Sequence, residues 1–448
     1  MTQVLENNAK LNLDPGGFTV LLHFWTMISN NFIFLRLLPF ILFIVGMILV
    51  SRLSLIWEVE NLLVYFSGFV LLLSPLLCQY AFELRAYSME MLTVILALYY
   101  CYKIPNILNN YRYSLFAGSL LAVLLTSRYS AVFSVISLGI IIFINLIKYH
   151  FNRKSVINFI IFLIPIIISG ITIYFFTFQY QNPTGAPPNY VKSLVFKTTD
   201  IHHLLFDRLN LLLHVFYTMF PILVLILLYI FSFKKNSIKK IMKPYNLYLL
   251  YALILNLIFI TLSLMGKYPW SVNSKWDMST HTIFIIAWLP LIFIITNFLY
   301  KKYLLYEKLK IFIPLIFILY FFSIAIRYVI PSIDSTYTNY IHNNISSNSS
   351  ILINVTASPT IRYLFEYGPL ATEKNINNYK NISLFNNTND MNLGSTTTLK
   401  KIDTYDYIIL TQIDYDNSEL KNILSKKPNW IDCATTGPSK MFKNTAKI

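Results

Sequence analysis

Apolar runs of about 20 residues recur along the first three-quarters of this 448-residue chain. A helix of ~20 residues crosses the ~30 Å hydrocarbon core of a bilayer, so each run is long enough to be a membrane span. The chain is 56% hydrophobic and 12% charged, and a soluble globular protein carries roughly twice that charged fraction. The runs are continuous and show no alternation of polar residues, which excludes a transmembrane β-barrel. The sequence therefore predicts an all-α polytopic membrane protein.

We predict about ten transmembrane helices, at 32–50, 61–80, 84–102, 113–127, 129–149, 156–178, 210–232, 246–265, 280–299 and 310–330. The fourth and fifth form one apolar stretch interrupted only by Arg128, which fits either a tight pair or one bent helix. Fifteen basic residues fall in one alternate set of loops and seven in the other, and the richer set is cytoplasmic by the positive-inside rule. One bent helix would place Lys234–Lys243 and Lys148–Lys154 on opposite sides of the membrane, so we predict the pair.

With ten spans, both chain ends lie outside the cytoplasm, and residues 1–31 form an external juxtamembrane segment. That segment has no signal sequence to carry it across a membrane. We therefore expect that a first span, with its N-terminus inside, is missing from this chain.

The sequence divides into a transmembrane domain over residues 1–332 and a small extracytoplasmic α/β domain over residues 333–448. In the second domain, apolar patterning and turn residues predict strands at Ser350–Thr356, Tyr405–Thr411, Trp430–Ala434 and Lys440–Lys443, and short helices at Thr360–Tyr367 and Ser418–Ser425.

A short hinge in LLLSPLLCQYAFELRAYSMEMLTVILALYY (residues 71–100) carries Glu83, Arg85 and Tyr87 between two apolar spans. Charged groups at a membrane boundary are unfavourable unless they are solvated, paired or used, and so they are default site hypotheses. Further polar residues are predicted at the same external face: Arg128, Lys192, Lys197, His202, His203, Asp207, Arg208, Lys267, Lys275, Asp277 and His281. Cations and aromatic side chains at an outer interface suit an anionic lipid headgroup, such as a sugar phosphate on a polyprenyl chain.

Each of these residues also has a purely structural interpretation. Glu83 and Arg85 could solvate a helix start, and Arg128 could be the hydrophilic tip of a hairpin. Lys267 and Lys275 could extend their ammonium groups to water. His281 could belong to a helix entry.

The net charge of +16 does not indicate a nucleic-acid partner, because the basic residues lie mainly in short loops. The three cysteines, Cys78, Cys101 and Cys433, form no disulfide framework, and no pair has metal-ligand spacing. No cofactor is predicted, and a requirement for a divalent metal stays open.

The hinge resembles the corresponding segment of the GT-C glycosyltransferases related to protein mannosyltransferases and the lipid A aminoarabinose transferase (family 39-like). Members of that group often read S-P-x-x-x-x-Y-S-Q-E-x-R-x-Y-x-L, and the matching positions are Ser74, Pro75, Tyr80, Glu83, Arg85 and Tyr87.

Four further segments resemble the same group. Upstream, DPGGFTVLLHFW and the helix after it keep Pro15, His23, Trp25, Arg36 and Pro39, while Asp14 and Gly16 depart from the usual H-P-P. Downstream, LLTSRYSAVF has Arg128 where the family has His, and GKYPW followed by Lys275–Trp276 is similar to its G-x-Y-P-F…R element. The tail segment ILINVTASPTIRYLFEYG resembles the small external domain of several branches.

The resemblance implies transfer of a sugar from a polyprenyl-phosphate donor to an acceptor (glycan, lipid or protein) outside a cell membrane. An Asp just after the first span would act as the base, and basic residues would stabilise the leaving phosphate. This sequence begins after that point, so the catalytic residue is unknown. Asp14 is a candidate, although it aligns downstream of the family's Asp. Loss of that segment would leave a protein that binds the donor but catalyses poorly or not at all.

Within this interpretation, the expected phosphate contacts are Arg85, Arg128, Lys267 and Lys275. Glu83 would orient Arg85 or bind the sugar, and Tyr87 or Tyr268 would contact the headgroup. Two alternatives stay open: a transporter or flippase for a lipid-linked glycan, and a non-catalytic membrane protein whose external tail is a binding domain.

Overall fold

The computed structural model describes residues 15–29, 31–57, 64, 67–81, 83–178, 220–228, 230, 242–264, 278–300, 350–354, 382–385, 402–411, 424, 427–436 and 439–446. The chain divides into two compact units: Met1–Ser29 with Phe34–Val329, and Asn30–Ile33 with Ile330–Ile448.

The first unit is helical throughout its described parts. Its helices include α1 (Gly17–Thr26), α2 (Phe32–Ile56), α3 (Pro75–Ala81), α4 (Tyr87–Cys101), α5 (Ile104–Asn109), α6 (Tyr111–Leu125), α7 (Ala131–Tyr149), α8 (Arg153–Ile173), α9 (Asn246–Leu264) and α10 (Met278–Tyr300). Short 3-10 helices cover Gly68–Leu73 and Lys243–Tyr245, and a π-helical turn at Tyr174–Phe178 extends α8.

Several of these helices suit a bilayer. Among the residues that the structure describes, four stretches are long and apolar enough to cross a membrane: Ile33–Ile56, Ala131–Tyr149, Arg153–Thr177 and Lys243–Leu262. Three shorter apolar helices accompany them, at Tyr87–Cys101, Tyr111–Leu125 and Met278–Ile294. The first unit is therefore mostly helical, as predicted, and its apolar helices have the character of a membrane protein.

Helix α4 is the centre of the first unit. It packs against α6, α7, α9 and α10, and every one of its side chains except Tyr99 is buried. A helix that is apolar on all sides is stable only when its neighbours surround it. Any polar group on α4 must therefore find its partner inside the bundle.

The predicted second span, 61–80, is not one continuous helix in its described part. The 3-10 helix Gly68–Leu73 ends at Ser74, whose backbone is extended at φ −98° and ψ 110°. Pro75 follows, and a proline disfavours helical backbone in the residue before it. Helix α3 then starts afresh at Pro75. The apolar run hides this break because hydropathy does not register backbone conformation.

The apolar stretch around Arg128 forms two helices. Helix α6 ends at Leu125 and α7 begins at Ala131, so Arg128 lies in the turn between them. This agrees with the predicted pair and replaces the alternative of one continuous helix.

The second unit contains a five-stranded mixed sheet in the order β2-β1-β3-β5-β4. Its strands are β1 (Ile351–Asn354), β2 (Ile382–Phe385), β3 (Tyr407–Thr411), β4 (Trp430–Thr436) and β5 (Ser439–Asn444). Strands β2 and β3 pair parallel to β1, whereas β5 pairs antiparallel to both β3 and β4. Four of these strands coincide with predicted ones, while β2 was not predicted. The predicted helix Thr360–Tyr367 lies outside the described residues, as does Ser418–Ser425 except for Leu424.

A polar corner lies beside this sheet. The indole nitrogen of Trp430 donates to a carboxylate oxygen of Asp403 at 3.1 Å, and the Lys427 ammonium contacts the other oxygen. The hydrogen bond from Lys427 lowers the pKa of the Asp403 carboxyl below its ordinary value. These contacts connect the start of β4 to the segment that precedes β3.

Candidate functional site

The hinge between α3 and α4 carries the predicted pair Glu83 and Arg85. The guanidinium Nε of Arg85 lies 3.1 Å from a carboxylate oxygen of Glu83, and 58% of the Arg85 side chain is exposed. The amide of Arg85 also donates to the Glu83 carbonyl at 2.7 Å. The hinge therefore presents a solvent-accessible cation whose carboxylate partner is on the same short segment.

Tyr87 begins helix α4 and contacts two other predicted site residues, Arg85 and Arg128. An Nη of Arg85 lies 3.5 Å from the Tyr87 hydroxyl. The Arg128 guanidinium lies 4.7 Å from the centre of the Tyr87 ring, within the range of a cation–π contact. The Tyr80 ring of α3 packs on Tyr87 at 4.3 Å. The structure thus brings Arg85, Tyr87 and Arg128 together, and their contact with a phosphate stays a prediction.

Arg128 forms a buried ion pair with Glu90, a residue that the sequence analysis did not single out. An Nη of Arg128 lies 2.8 Å from Oε2 of Glu90, and 7% and 0% of the two side chains are exposed. Glu90 lies in the first turn of α4, where a negative charge is favoured by the helix dipole. A buried charge is tolerated only when it is paired and hydrogen-bonded.

The second carboxylate oxygen of Glu90 is also occupied. The hydroxyl of Ser130 donates to Oε1 at 2.7 Å, and the hydroxyl of Ser279 donates to the same atom at 2.5 Å. Ser130 lies next to α7 and Ser279 in the first turn of α10. The carboxylate therefore links α4, the α6–α7 turn and α10.

One sequence signal could have identified Glu90. It is an acid inside the predicted third span, 84–102, and ionisable residues within membrane segments are site hypotheses by default. The prediction instead considered the loops and span ends. Nothing in the sequence names Arg128 as the partner, since the two residues are 38 positions apart.

The segment that follows Asp14 lies against the turn that carries Arg128. The Gly17 amide donates to the Thr126 carbonyl at 2.9 Å, and Gly16 has a positive φ of 94°. A Cβ atom on Gly17 would collide with the Thr126 side chain. Glycine at these two positions thus permits the left-handed backbone and the close approach.

A serine–histidine contact joins the start of α3 to the first turn of α10. Nε2 of His281, in the first turn of α10, lies 2.7 Å from Oγ of Ser74. The same serine oxygen accepts the Leu77 amide at 3.2 Å, as the N-cap of α3 does. His281 therefore contacts the predicted hinge motif, which agrees with its interpretation as a helix-entry residue.

The remaining predicted site residues lie outside the described residues. These are Asp14, Lys267, Tyr268 and Lys275, with Lys192, Lys197, His202, His203, Asp207, Arg208 and Asp277. Within the described ranges, no three His, Cys, Asp or Glu side chains come together in a group that could hold a metal ion.

No protein-family model matches this chain, and no curated protein matches it.

Proposed function

We propose that this chain is a GT-C-type membrane glycosyltransferase, related to the protein mannosyltransferase and lipid A aminoarabinose transferase group. It binds a polyprenyl-phosphate sugar at the external face of a cell membrane and transfers the sugar to a glycan, lipid or protein. It crosses the bilayer about ten times, and its C-terminal sheet domain lies outside the cytoplasm.

The convergence of three separate segments supports this proposal most directly. The resemblance to the GT-C group covers the segment that starts at Pro15, the motif from Ser74 to Tyr87, and LLTSRY, in which Arg128 replaces the family's His. These segments meet through the Gly17–Thr126 hydrogen bond and the Arg128–Tyr87 contact. Mutual geometry is the test that candidate site residues must pass, and these residues meet at one place.

The chemistry of the hinge suits the phosphate of a lipid-linked donor. Arg85 offers a guanidinium that can bind two phosphate oxygens at once, and much of its side chain is exposed. Its present partner, Glu83, is also partly exposed, and exposed ion pairs contribute only about 0–1 kcal/mol. Exchange of the carboxylate for a phosphate therefore costs little free energy. The bound cation would stabilise the charge that develops on the leaving phosphate.

Binding of polyprenyl monophosphate to protein in phosphatidylcholine nanodiscs tests this proposal. Polyprenyl monophosphate is the leaving group that all such donors share. A hydrogen bond to a charged group contributes ~1.5–3 kcal/mol, so the change Arg85→Ala should weaken binding by about 10- to 100-fold.

Arg112→Ala is the matched control. Arg112 is also an exposed arginine that contacts a tyrosine, with its Nε 3.1 Å from the Tyr111 hydroxyl, but it lies on the predicted cytoplasmic side. Its loss should leave binding unchanged. Equal binding by the wild type and the Arg85→Ala variant would remove Arg85 from the site, and absence of binding by the wild type would overturn the proposal.

The buried Glu90–Arg128 pair favours a second candidate, a transporter or flippase for a lipid-linked glycan. Such proteins place ionisable groups within the bilayer depth. The position of Glu90 in the first turn of α4, at one end of the helix, argues for the enzyme instead. Reconstituted liposomes discriminate between the two: a flippase accelerates transbilayer movement of a labelled polyprenyl phosphate, and a transferase does not.

The non-catalytic alternative gives a third pattern in the same preparations. With its binding function in the external tail, it predicts neither Arg85-dependent binding of polyprenyl monophosphate nor sugar transfer to any acceptor tested.

A further inference from the structure

We infer that Glu90 is a positioning residue: it holds Arg128 against the Tyr87 ring and so fixes the hinge from which Arg85 meets the donor phosphate. The inference rests on the proposed function. It assigns different roles to two arginines that were both expected to contact the phosphate. Arg85 contacts the ligand, whereas Arg128 supports the backbone that carries Arg85.

The Glu90 carboxylate has hydrogen-bond partners on both of its oxygens. Oε2 accepts from Arg128 at 2.8 Å, and Oε1 accepts from the hydroxyls of Ser130 and Ser279. None of the Glu90 side chain is exposed. Both carboxylate oxygens are therefore engaged, and the arrangement is complete without a ligand.

Aromatic contacts connect the Glu90–Arg128 pair to the junction of α3 and α4. The Arg128 guanidinium lies over the Tyr87 ring, and that ring packs on Tyr80 at the end of α3. In addition, the hydroxyl of Ser88 donates to the Tyr80 carbonyl at 3.3 Å. Release of Arg128 would loosen Tyr87, which is two residues from Arg85, and with it the junction of α3 and α4.

The Glu90–Arg128 ion pair is buried, whereas the Glu83–Arg85 ion pair is partly exposed. If Arg128 moved to a phosphate, it would leave the Glu90 carboxylate buried and without its cation, which is strongly unfavourable. Arg85 can leave Glu83 at little cost because 58% and 34% of their side chains are exposed. Phosphate binding by Arg85 is therefore far easier than phosphate binding by Arg128.

Three variants separate support from direct contact: Glu90→Gln, Arg128→Gln, and the double variant. Each single change leaves one buried charge without its partner, so polyprenyl monophosphate affinity should fall by about tenfold or more. The double variant has no buried charge. Its Gln at position 90 can still accept from the serine hydroxyls and donate to a Gln at position 128, so affinity should return to within about threefold of the wild type.

The opposite results overturn the inference. If Arg128 contacts the phosphate, the double variant stays as defective as Arg128→Gln. If Glu90→Gln binds as the wild type does, Glu90 does not position the hinge. Should Glu90→Gln fail to fold, Glu90→Asp replaces it; this change keeps the charge but shortens its reach by one methylene, and it should give a smaller loss of affinity.

A ligand-free measurement keeps this inference distinct from the proposed function. Trypsin cleaves after Arg85 only when the hinge opens locally, and such opening is governed by local stability. In nanodiscs without lipid ligand, the peptide ending at Arg85 should appear about tenfold faster in Glu90→Gln than in the wild type, and near the wild-type rate in the double variant. Equal rates in all three would overturn the positioning role. Failure of the wild type to bind polyprenyl monophosphate would overturn the proposed function and leave this comparison valid.

Discussion

The Ser74 hydroxyl makes two hydrogen bonds at the point where the apolar run changes direction. It accepts the Leu77 amide at the start of α3 and contacts Nε2 of His281 on α10. An N-cap serine contributes ~0.5–2 kcal/mol relative to alanine, and the hydrogen bond to the partly buried His281 adds ~0.5–1.5 kcal/mol. Ser74→Ala should therefore lower the free energy of unfolding by about 1–4 kcal/mol, measured by SDS titration of the protein in detergent micelles.

Ser137→Ala is the matched control for that change. Ser137 is equally buried, and its hydroxyl donates at 2.7 Å to the Phe133 carbonyl of its own helix. Alanine is the better helix former by roughly 0.5 kcal/mol, which offsets the lost hydrogen bond. The unfolding free energy should then change by less than about 0.5 kcal/mol. Similar losses for both serines would show that the contacts of Ser74 have no special role.

At the scale of single residues, the sequence indicates which residues are candidates for a site, but it does not indicate which residues they contact. Charges at span ends are visible in a single chain, and Arg85 and Arg128 became candidate site residues in that way. The contacts that define their roles join distant positions, as Glu90 with Arg128 and Ser279 do. Glu90 also interrupts the apolar pattern at one position only, so hydropathy averaged over a span conceals it.

Among the helices, the contact between α6 and α8 depends on a glycine. A Cβ atom on Gly118 would collide with the Phe162 carbonyl, whereas a Cβ atom on Gly139 of α7 would meet open space. Small residues allow helices to approach closely in membranes, where van der Waals contact drives helix association. We expect Gly118→Ala to destabilise the protein by ~1–3 kcal/mol because it overpacks this interface.

Gly139→Ala should have the opposite effect on the stability of the protein. Alanine is favoured over glycine in a helix by ~0.5–1 kcal/mol, and no neighbouring atom obstructs it at this position. Thermal unfolding in one detergent should place Gly139→Ala at or above the wild type and Gly118→Ala below it. A stabilised Gly118→Ala variant would show that α6 and α8 do not pack closely.

Continuity of the apolar runs predicted the helices well where backbone and hydropathy agree, as at α7. It failed at Ser74–Pro75, where the apolar run continues but the helix does not. In the second unit, the runs that became β1, β3, β4 and β5 were recognisable from their apolar and β-branched residues. Strand β2, Ile382–Phe385, has only four residues in a segment rich in asparagine. Its pairing with β1 is a tertiary contact that local sequence does not encode.

For the molecule as a whole, the decisive property is the side of the membrane that each end of the bundle faces. Fifteen basic residues in one set of loops against seven in the other predict that Arg112 faces the cytoplasm and that Arg85 faces outward. A lipid-phosphate donor meets Arg85 in the outer leaflet only if this orientation holds. The two arginines are exposed, which makes them a matched pair of reporters.

Cysteine labelling tests this orientation directly. Cys78 and Cys101 are buried, so replacing Cys433 with Ser leaves a background with low reactivity. In intact cells, a membrane-impermeant maleimide should label the Arg85→Cys variant, and it should label Arg112→Cys only after permeabilisation. The physical reason is that a charged reagent cannot cross the hydrocarbon core. The reverse pattern would place the hinge in the cytosol, where the Glu83–Arg85 pair could not meet a donor from the outer leaflet, and glycosyl transfer at the external face would be ruled out.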